Sequence, residues 1–210
     1  MSKPDIRKLM LAGHAGQLEA ILSIPAAGPR AVAVVCHPHP LYGGTMDNKV
    51  VHYTSRALND MGVATLRFNF RGVGNSQGEH DHAVGEIDDC LVAAQWMREQ
   101  YPEKGLILAG FSFGAYVAAR AASASDVMAL ISIAPAVTMY DFSRVQLSDI
   151  PWLLVQGDAD EVVPPDAVRS WAVANRRITE QAWLAGAGHF FHGRLPELAG
   201  YIREWIEGIL

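Results

Sequence analysis

The stretch that decides the fold is Leu106-Ile107-Leu108-Ala109-Gly110-Phe111-Ser112-Phe113-Gly114, running on into Ala115–Ala122. Leu106–Ala109 is a short apolar run suited to a buried strand, and Ala115–Ala122 is rich in strong helix formers. Between them lies G-x-S-x-G. A turn this sharp forces strained torsions on the serine, and the flanking chain passes so close that only small residues fit at the two outer positions. The hydroxyl is pushed out of the sheet at the head of a helix, a strand–turn–helix elbow built to expose one side chain.

Working outward, strands and helices alternate. Arg7–Gly13 and Leu18–Ile24 read as a hairpin closed near Gly13–Gly16. Ala31–Cys36 is continuous and Val-rich, as in a strand buried on both faces. The breaker-rich loop His37-Pro38-His39-Pro40-Leu41-Tyr42-Gly43-Gly44 follows, then a helix from about Asp47 that stops at Gly62. Val63–Phe70 is the next strand. Val84, Ile87, Leu91, Ala94 and Met97 mark an amphipathic helix to about Tyr101. Val127–Ile133, Trp152–Gln156 and Thr179–Leu184 read as strands, Pro165–Asn175 as a helix between the last two, and Leu195–Ile209 as a closing helix. The pattern predicts one α/β domain over residues 1–210: a mostly parallel sheet of about eight strands, antiparallel at its start, with helices on both faces.

Composition agrees. The 210 residues are 50% hydrophobic and 19% charged, which excludes a disordered chain. The net charge of −5 offers no basic footprint for nucleic acid or an anionic membrane. Cys36 and Cys90 are too few for a disulfide scaffold and read as small buried side chains. Met1–Arg7 is polar, and Leu9–Ala12 is too short for the core of an export signal. No run approaches the ~18 apolar residues of a membrane span. A soluble cytoplasmic chain, monomer or homodimer, is the expectation.

An exposed serine hydroxyl is a weak nucleophile without a base in reach and an acid to orient that base. His189, in Gly186-Ala187-Gly188-His189-Phe190-Phe191 past the last strand, can serve as base, and His192 is close by. Gly157-Asp158-Ala159-Asp160-Glu161 follows the Trp152–Gln156 strand, at the edge of the sheet where the serine also lies. Spacing does not choose between Asp158 and Asp160.

The chain order Ser, Asp, His, with G-F-S-F-G at 110–114, G-D-A-D-E-V-V-P at 157–164 and G-A-G-H-F-F at 186–191, resembles the α/β-hydrolase superfamily over nearly the whole chain. The His37–Gly44 loop is similar to that of a small bacterial subgroup related to dienelactone hydrolases and acyl-peptidase catalytic domains. Arg71-Gly72-Val73-Gly74-Asn75-Ser76 matches the superfamily's R-G-x-G-x-S loop. The resemblance implies a catalytic triad of Ser112, Asp160 and His189. Serine at 112 departs from the cysteine usual in dienelactone hydrolases.

An oxyanion hole needs two backbone N–H groups. One is the residue after the serine, Phe113. The other belongs to the 37–44 loop, where Pro38 and Pro40 have no N–H. His39 is the best placed, with Leu41 or Tyr42 behind it. Only the eighteen residues 134–151 separate two strands where a cap is often inserted, so no lid is expected. Leu41, Tyr42, Tyr140 and Phe142 are then expected on the rim of an open site. A small ester attacked through an acyl-enzyme is the expected chemistry, with a thioesterase or acyl-peptide hydrolase as alternatives and a non-catalytic binder behind them. No metal or cofactor is expected. His37, His39, His80, His82, His189 and His192 offer imidazoles, but the hydrolase parts give the first two and His189 better specified places, and the 80–82 run reads as a solvated loop. Gly72-x-Gly74 with Gly78 does not open a helix as a dinucleotide loop would.

Overall fold

Runs that are mostly apolar, with Thr65 and Arg67 the polar residues of one of them, form the parallel middle of the sheet. The strands β3 (Ala31–Cys36), β4 (Val63–Phe68), β5 (Leu106–Phe111), β6 (Ala129–Ile133) and β7 (Trp152–Gly157) are buried at every residue. The computed structural model describes residues 3–210. Its one sheet has eight strands in the order β1-β2-β4-β3-β5-β6-β7-β8, where β1 is Asp5–Gly13, β2 Gly16–Ile24 and β8 Glu180–Leu184. The β1–β2 hairpin, with Gly13 opposite Gly16, and the β2–β4 pair are antiparallel; the other pairs are parallel.

Alternate residues of each middle strand serve opposite layers. Val32, Val34, Leu66, Leu108 and Leu130 pack with α2 (Val84–Gln100) and α3 (Phe113–Ala122). Ala33, Val35, Ile107, Ile131 and Val155 pack with α1 (Lys49–Asp60) and the closing α5 (Leu195–Glu207). The helix α4 (Pro165–Ala174) covers Leu154 through Val168 and Ala172. Both cysteines are free and fully buried, their sulfurs 3.5 Å apart, Cys36 on β3 and Cys90 on α2.

Boundaries moved for local reasons. The Asn48 side chain accepts the Val50 N–H, so α1 starts at Lys49. The strand β4 stops at Phe68 because the next N–H groups leave the parallel ladder: Asn69 donates to the Glu19 carbonyl and Phe70 to His37 Nε2.

The loop from Asn69 to Ala83 carries the chain back under the sheet edge. Arg71 anchors it: its backbone N–H and guanidinium both donate to the fully buried Asp89 of α2, the closest contact 2.8 Å. Gly85 leaves room for that guanidinium, since a Cβ there would fall 1.8 Å from Arg71 Nη1. Glu86, also fully buried, accepts the N–H groups of Asp81 and Ala83 at 2.8 Å each. Removing one partner of a buried ion pair strands the other charge. Asp89→Ala should therefore cost about 3–5 kcal/mol in urea denaturation; a loss below about 1 kcal/mol would mean that the loop is held by something else.

Candidate active site

The elbow is built as its residue types require. Ser112 sits at φ 55° and ψ −114°, a strained setting for a non-glycine residue. A Cβ at Gly110 would fall 2.0 Å from the Gly114 carbonyl oxygen, and one at Gly114 would fall 2.5 Å from the carbonyl oxygens of Cys36 and His37. Both glycines are thus demanded by backbone contact, the first with the opening turn of α3 and the second with the end of β3.

Parallel strands end on one edge, and there three loops converge. Ser112 Oγ lies 3.1 Å from His189 Nε2, and His189 Nδ1 lies 2.8 Å from Asp160 Oδ2. All three residues are buried, Ser112 the least at 8% exposed. The Val162 and Val163 N–H groups donate to Asp160 Oδ1 at 2.8 Å each. Burial alone would raise the Asp160 pKa; the His189 hydrogen bond and these N–H groups outweigh it and hold the carboxyl below its ordinary value.

Of the alternatives that spacing left open, Asp158 is exposed and ties down the next loop by accepting the Gly186 N–H at 2.6 Å. His192 is exposed beside Phe190, outside the row. Two residues escaped the sequence reading. Gln156, fully buried in an otherwise apolar strand, donates from Nε2 to Asp160 Oδ2 at 2.9 Å. Glu161 accepts the His189 backbone N–H at 3.1 Å. A lone glutamine inside Trp-Leu-Leu-Val was the available signal for the first; the second carried none beyond its place beside Asp160.

Loop 37–44 closes the other side. The His37 ring is buried, its Nε2 accepting the Phe70 N–H at 3.1 Å and its Nδ1 2.6 Å from the Pro38 carbonyl oxygen. Burial drives its pKa down to about 4, against the Pro38 carbonyl, so near neutral pH it is an uncharged tie between two loops. The short turn Pro40–Tyr42 consumes the other candidate donors: Leu41 N–H goes to His39 Nδ1 and Tyr42 N–H to the His39 carbonyl. The N–H groups of His39 and of Phe113, first residue of α3, have no partner among the described residues.

Leu41 and Tyr42 are strongly exposed beside this loop, and Tyr140 is half-buried with its ring edge-on to Phe113 at 5.3 Å. Phe142 is a correction: it is not on the rim. Asp141 caps the short turn Phe142–Arg144 and directs Phe142 inward, where it meets Tyr116 at 5.2 Å and Trp171 at 4.9 Å, burial that an apolar ring prefers. His80 is a second correction, while Asp81 and His82 are exposed as a solvated loop requires. The His80 side chain is 8% exposed, its ring 4.9 Å from His39 and 5.9 Å from Phe113, with Nδ1 2.8 Å from Glu86 Oε1. Residues 134–151 form turns and no longer element. No group of three or more His, Cys, Asp or Glu among the described residues is disposed to hold a metal. No helix among them is long and apolar enough to cross a membrane.

A hydroxyl, an imidazole and a carboxylate in one row at the carboxyl edge of this sheet define the α/β-hydrolase class. The model of the family described as serine aminopeptidase, S33, matches residues 27–148, more than half of the chain, and the chain belongs to that family of hydrolases. It is similar to an α/β serine hydrolase without a lid from Xanthomonas campestris, at 42% identity over 100% of this chain and 96% of that one, with a TM-score of 0.93. An α/β serine hydrolase homologue from Coxiella burnetii is 43% identical over 94% of this chain and 96% of its own, with a TM-score of 0.87. The uncharacterised protein RP471 of Rickettsia prowazekii is 36% identical over 207 residues, 92% of this chain and 86% of that protein.

Because the folded Asp160 carboxyl is more acidic than its ordinary 3.8, the folded chain binds fewer protons there than the unfolded chain. Its contribution is present above pH 3.8 and lost as pH falls through the lower folded value. Asp160→Asn should lower stability by about 1–3 kcal/mol at neutral pH and by less at strongly acid pH, measured by urea denaturation of both proteins. A difference that does not shrink with acid would contradict the ionised carboxylate.

Proposed function

We propose that this chain is a serine esterase acting on carboxylic esters with small or short acyl groups. The observation that carries the reading is the continuous row from Ser112 Oγ through His189 to Asp160, beside two backbone N–H groups without protein partners. As Oγ attacks the acyl carbon, His189 Nε2 takes its proton and Asp160 stabilises the imidazolium through Nδ1. The N–H groups of Phe113 and His39 serve the oxyanion. The tetrahedral intermediate collapses, the acyl–alkoxy bond breaks, and His189 returns the proton to the leaving alcohol. Water then attacks the acyl-enzyme with the same imidazole as base, releasing the acid and restoring Ser112.

Pre-set geometry supports this reading. Strain at Ser112 and the tie between His37 and Phe70 fix nucleophile and donor loop before substrate arrives, so little reorganisation is left for the transition state. The aminopeptidase in the family's description favours an amide bond instead. An aminoacyl anilide set beside an ester decides between the two bonds. The absence of any cap over residues 134–151 argues for short or bulky acyl groups over long chains that need an apolar tunnel.

Ser112→Ala should lower kcat on a p-nitrophenyl ester by three or more orders of magnitude, roughly, while the circular dichroism spectrum is retained. Labelling by a fluorophosphonate should disappear with it, and full turnover in either sample would refute the assignment. Across p-nitrophenyl acetate to palmitate, kcat/KM should peak at short chains. Set beside an acyl-CoA and an aminoacyl anilide, the short ester should be the best substrate; preference for the anilide would make the chain a peptidase.

A further inference from the structure

A second recess lies on the other helix layer, where the β1–β2 hairpin projects past α1. It has a volume of about 710 Å³ and shares no residue with the Ser112 row. Ile6, Ile21 and Pro25 supply apolar lining, Ser55 and Asn59 of α1 polar lining, and Arg67 of β4 stands beside Ile21 as its cross-strand partner. This chain of net charge −5 places four of its 17 Lys and Arg around the recess, Lys3, Arg30, Arg56 and Arg67, together with His52. The one carboxylate there, Asp60, stands 3.5 Å from Arg203.

Arg67 is the telling residue. The residue is nine-tenths buried, and the protein engages only one of its guanidinium nitrogens. Nη1 donates to the Met46 carbonyl at 2.6 Å and lies 3.4 Å from the carboxylate of Asp47, whose side chain is largely in solvent. Nε and Nη2 make no hydrogen bond to a described residue. Those two nitrogens are open to solvent, and a guanidinium is shaped to receive two oxygens at once. Burial pulls the Arg67 pKa down despite Asp47. His52 reports the same field from α1: burial lowers its pKa, and Arg67 and Arg56 lower it further, against Asp47. The Ser55 hydroxyl, 2.6 Å from that of Thr65, adds a polar group to the lining.

We propose that this recess binds a phosphate monoester with an apolar body, the phosphate held by Arg67, Arg56 and His52 and the body laid against Ile6, Ile21 and Pro25. An inorganic ion alone would leave most of the volume unfilled; a purely apolar ligand would leave the cations unpaired. The site is separate from ester cleavage and stands whether or not that reading does.

Phenyl phosphate is the probe, followed by calorimetry and by NMR of the His52 ring. It should bind wild type with Kd below about 1 mM, and phenol should not bind. In saturating phenyl phosphate the His52 pKa should rise, because a nearby anion favours the imidazolium. Arg56→Glu, at an exposed position, should weaken binding at least about tenfold and leave stability unchanged. Arg67→Lys should also weaken it, and Ser112→Ala should bind as wild type. No binding up to about 10 mM, equal binding of phenol, indifference to Arg56→Glu, or loss of binding in Ser112→Ala would each overturn the proposal.

Discussion

The approach of the first turn of α3 to the ends of β3 and β5 is the constraint on which the rest of the site depends. It places the Gly114 backbone against the carbonyls of Cys36 and His37, and Gly110 against the carbonyl of Gly114. Nothing larger than hydrogen fits at either point. The strain this stores at Ser112, of order 1–3 kcal/mol, is tolerated because the surroundings over-determine it: β5 is buried on both faces and α3 is buried along almost its whole length. The same contact brings the end of β3, and hence the His37–Gly44 loop, beside the serine. Ser112 and the His37–Gly44 loop are positioned by one packing event.

A second set of close approaches supports the other half of the row. A Cβ at Gly157 would fall 2.2 Å from the Ala187 carbonyl oxygen, so the end of β7 presses directly on the histidine loop. Asp158, Asp160 and Glu161 then face that loop with different tasks: the first holds Gly186, the second the His189 ring, the third the His189 backbone. Three carboxylates within four residues avoid mutual repulsion because each receives its own donors. Gln156 adds a donor to Asp160 from below, while its own Oε1 is buried without a partner, a polar cost accepted inside an apolar strand.

The alternation of strands and helices, the elbow and the Ser–Asp–His succession were legible because each rests on a local rule: apolar runs, small residues where chains touch, polar loops after strands. The family match shows the same hydrolase class. Phe142 was misread for want of tertiary information, since whether an aromatic in a loop faces a site or a core depends on what stands opposite. Here Tyr116 and Trp171 stand opposite. His80 was misread for a related reason: a histidine flanked by Glu79, Asp81 and His82 looks solvated until Glu86, one turn into α2, is seen to draw the loop inward.

By itself, then, the sequence determined the architecture and the residue types offered at the carboxyl edge, because periodicity and steric need are written along the chain. The tertiary structure puts His189 against Ser112 and Asp160 against His189, a choice that spacing left open and only the family resemblance implied. It also decided which loop N–H groups are spent on the Pro40–Tyr42 turn, and that Arg67, 45 residues before Ser112, lies buried beside a different recess. Those outcomes depend on which groups find partners, and partners far apart in sequence meet only when the sheet brings their loops together.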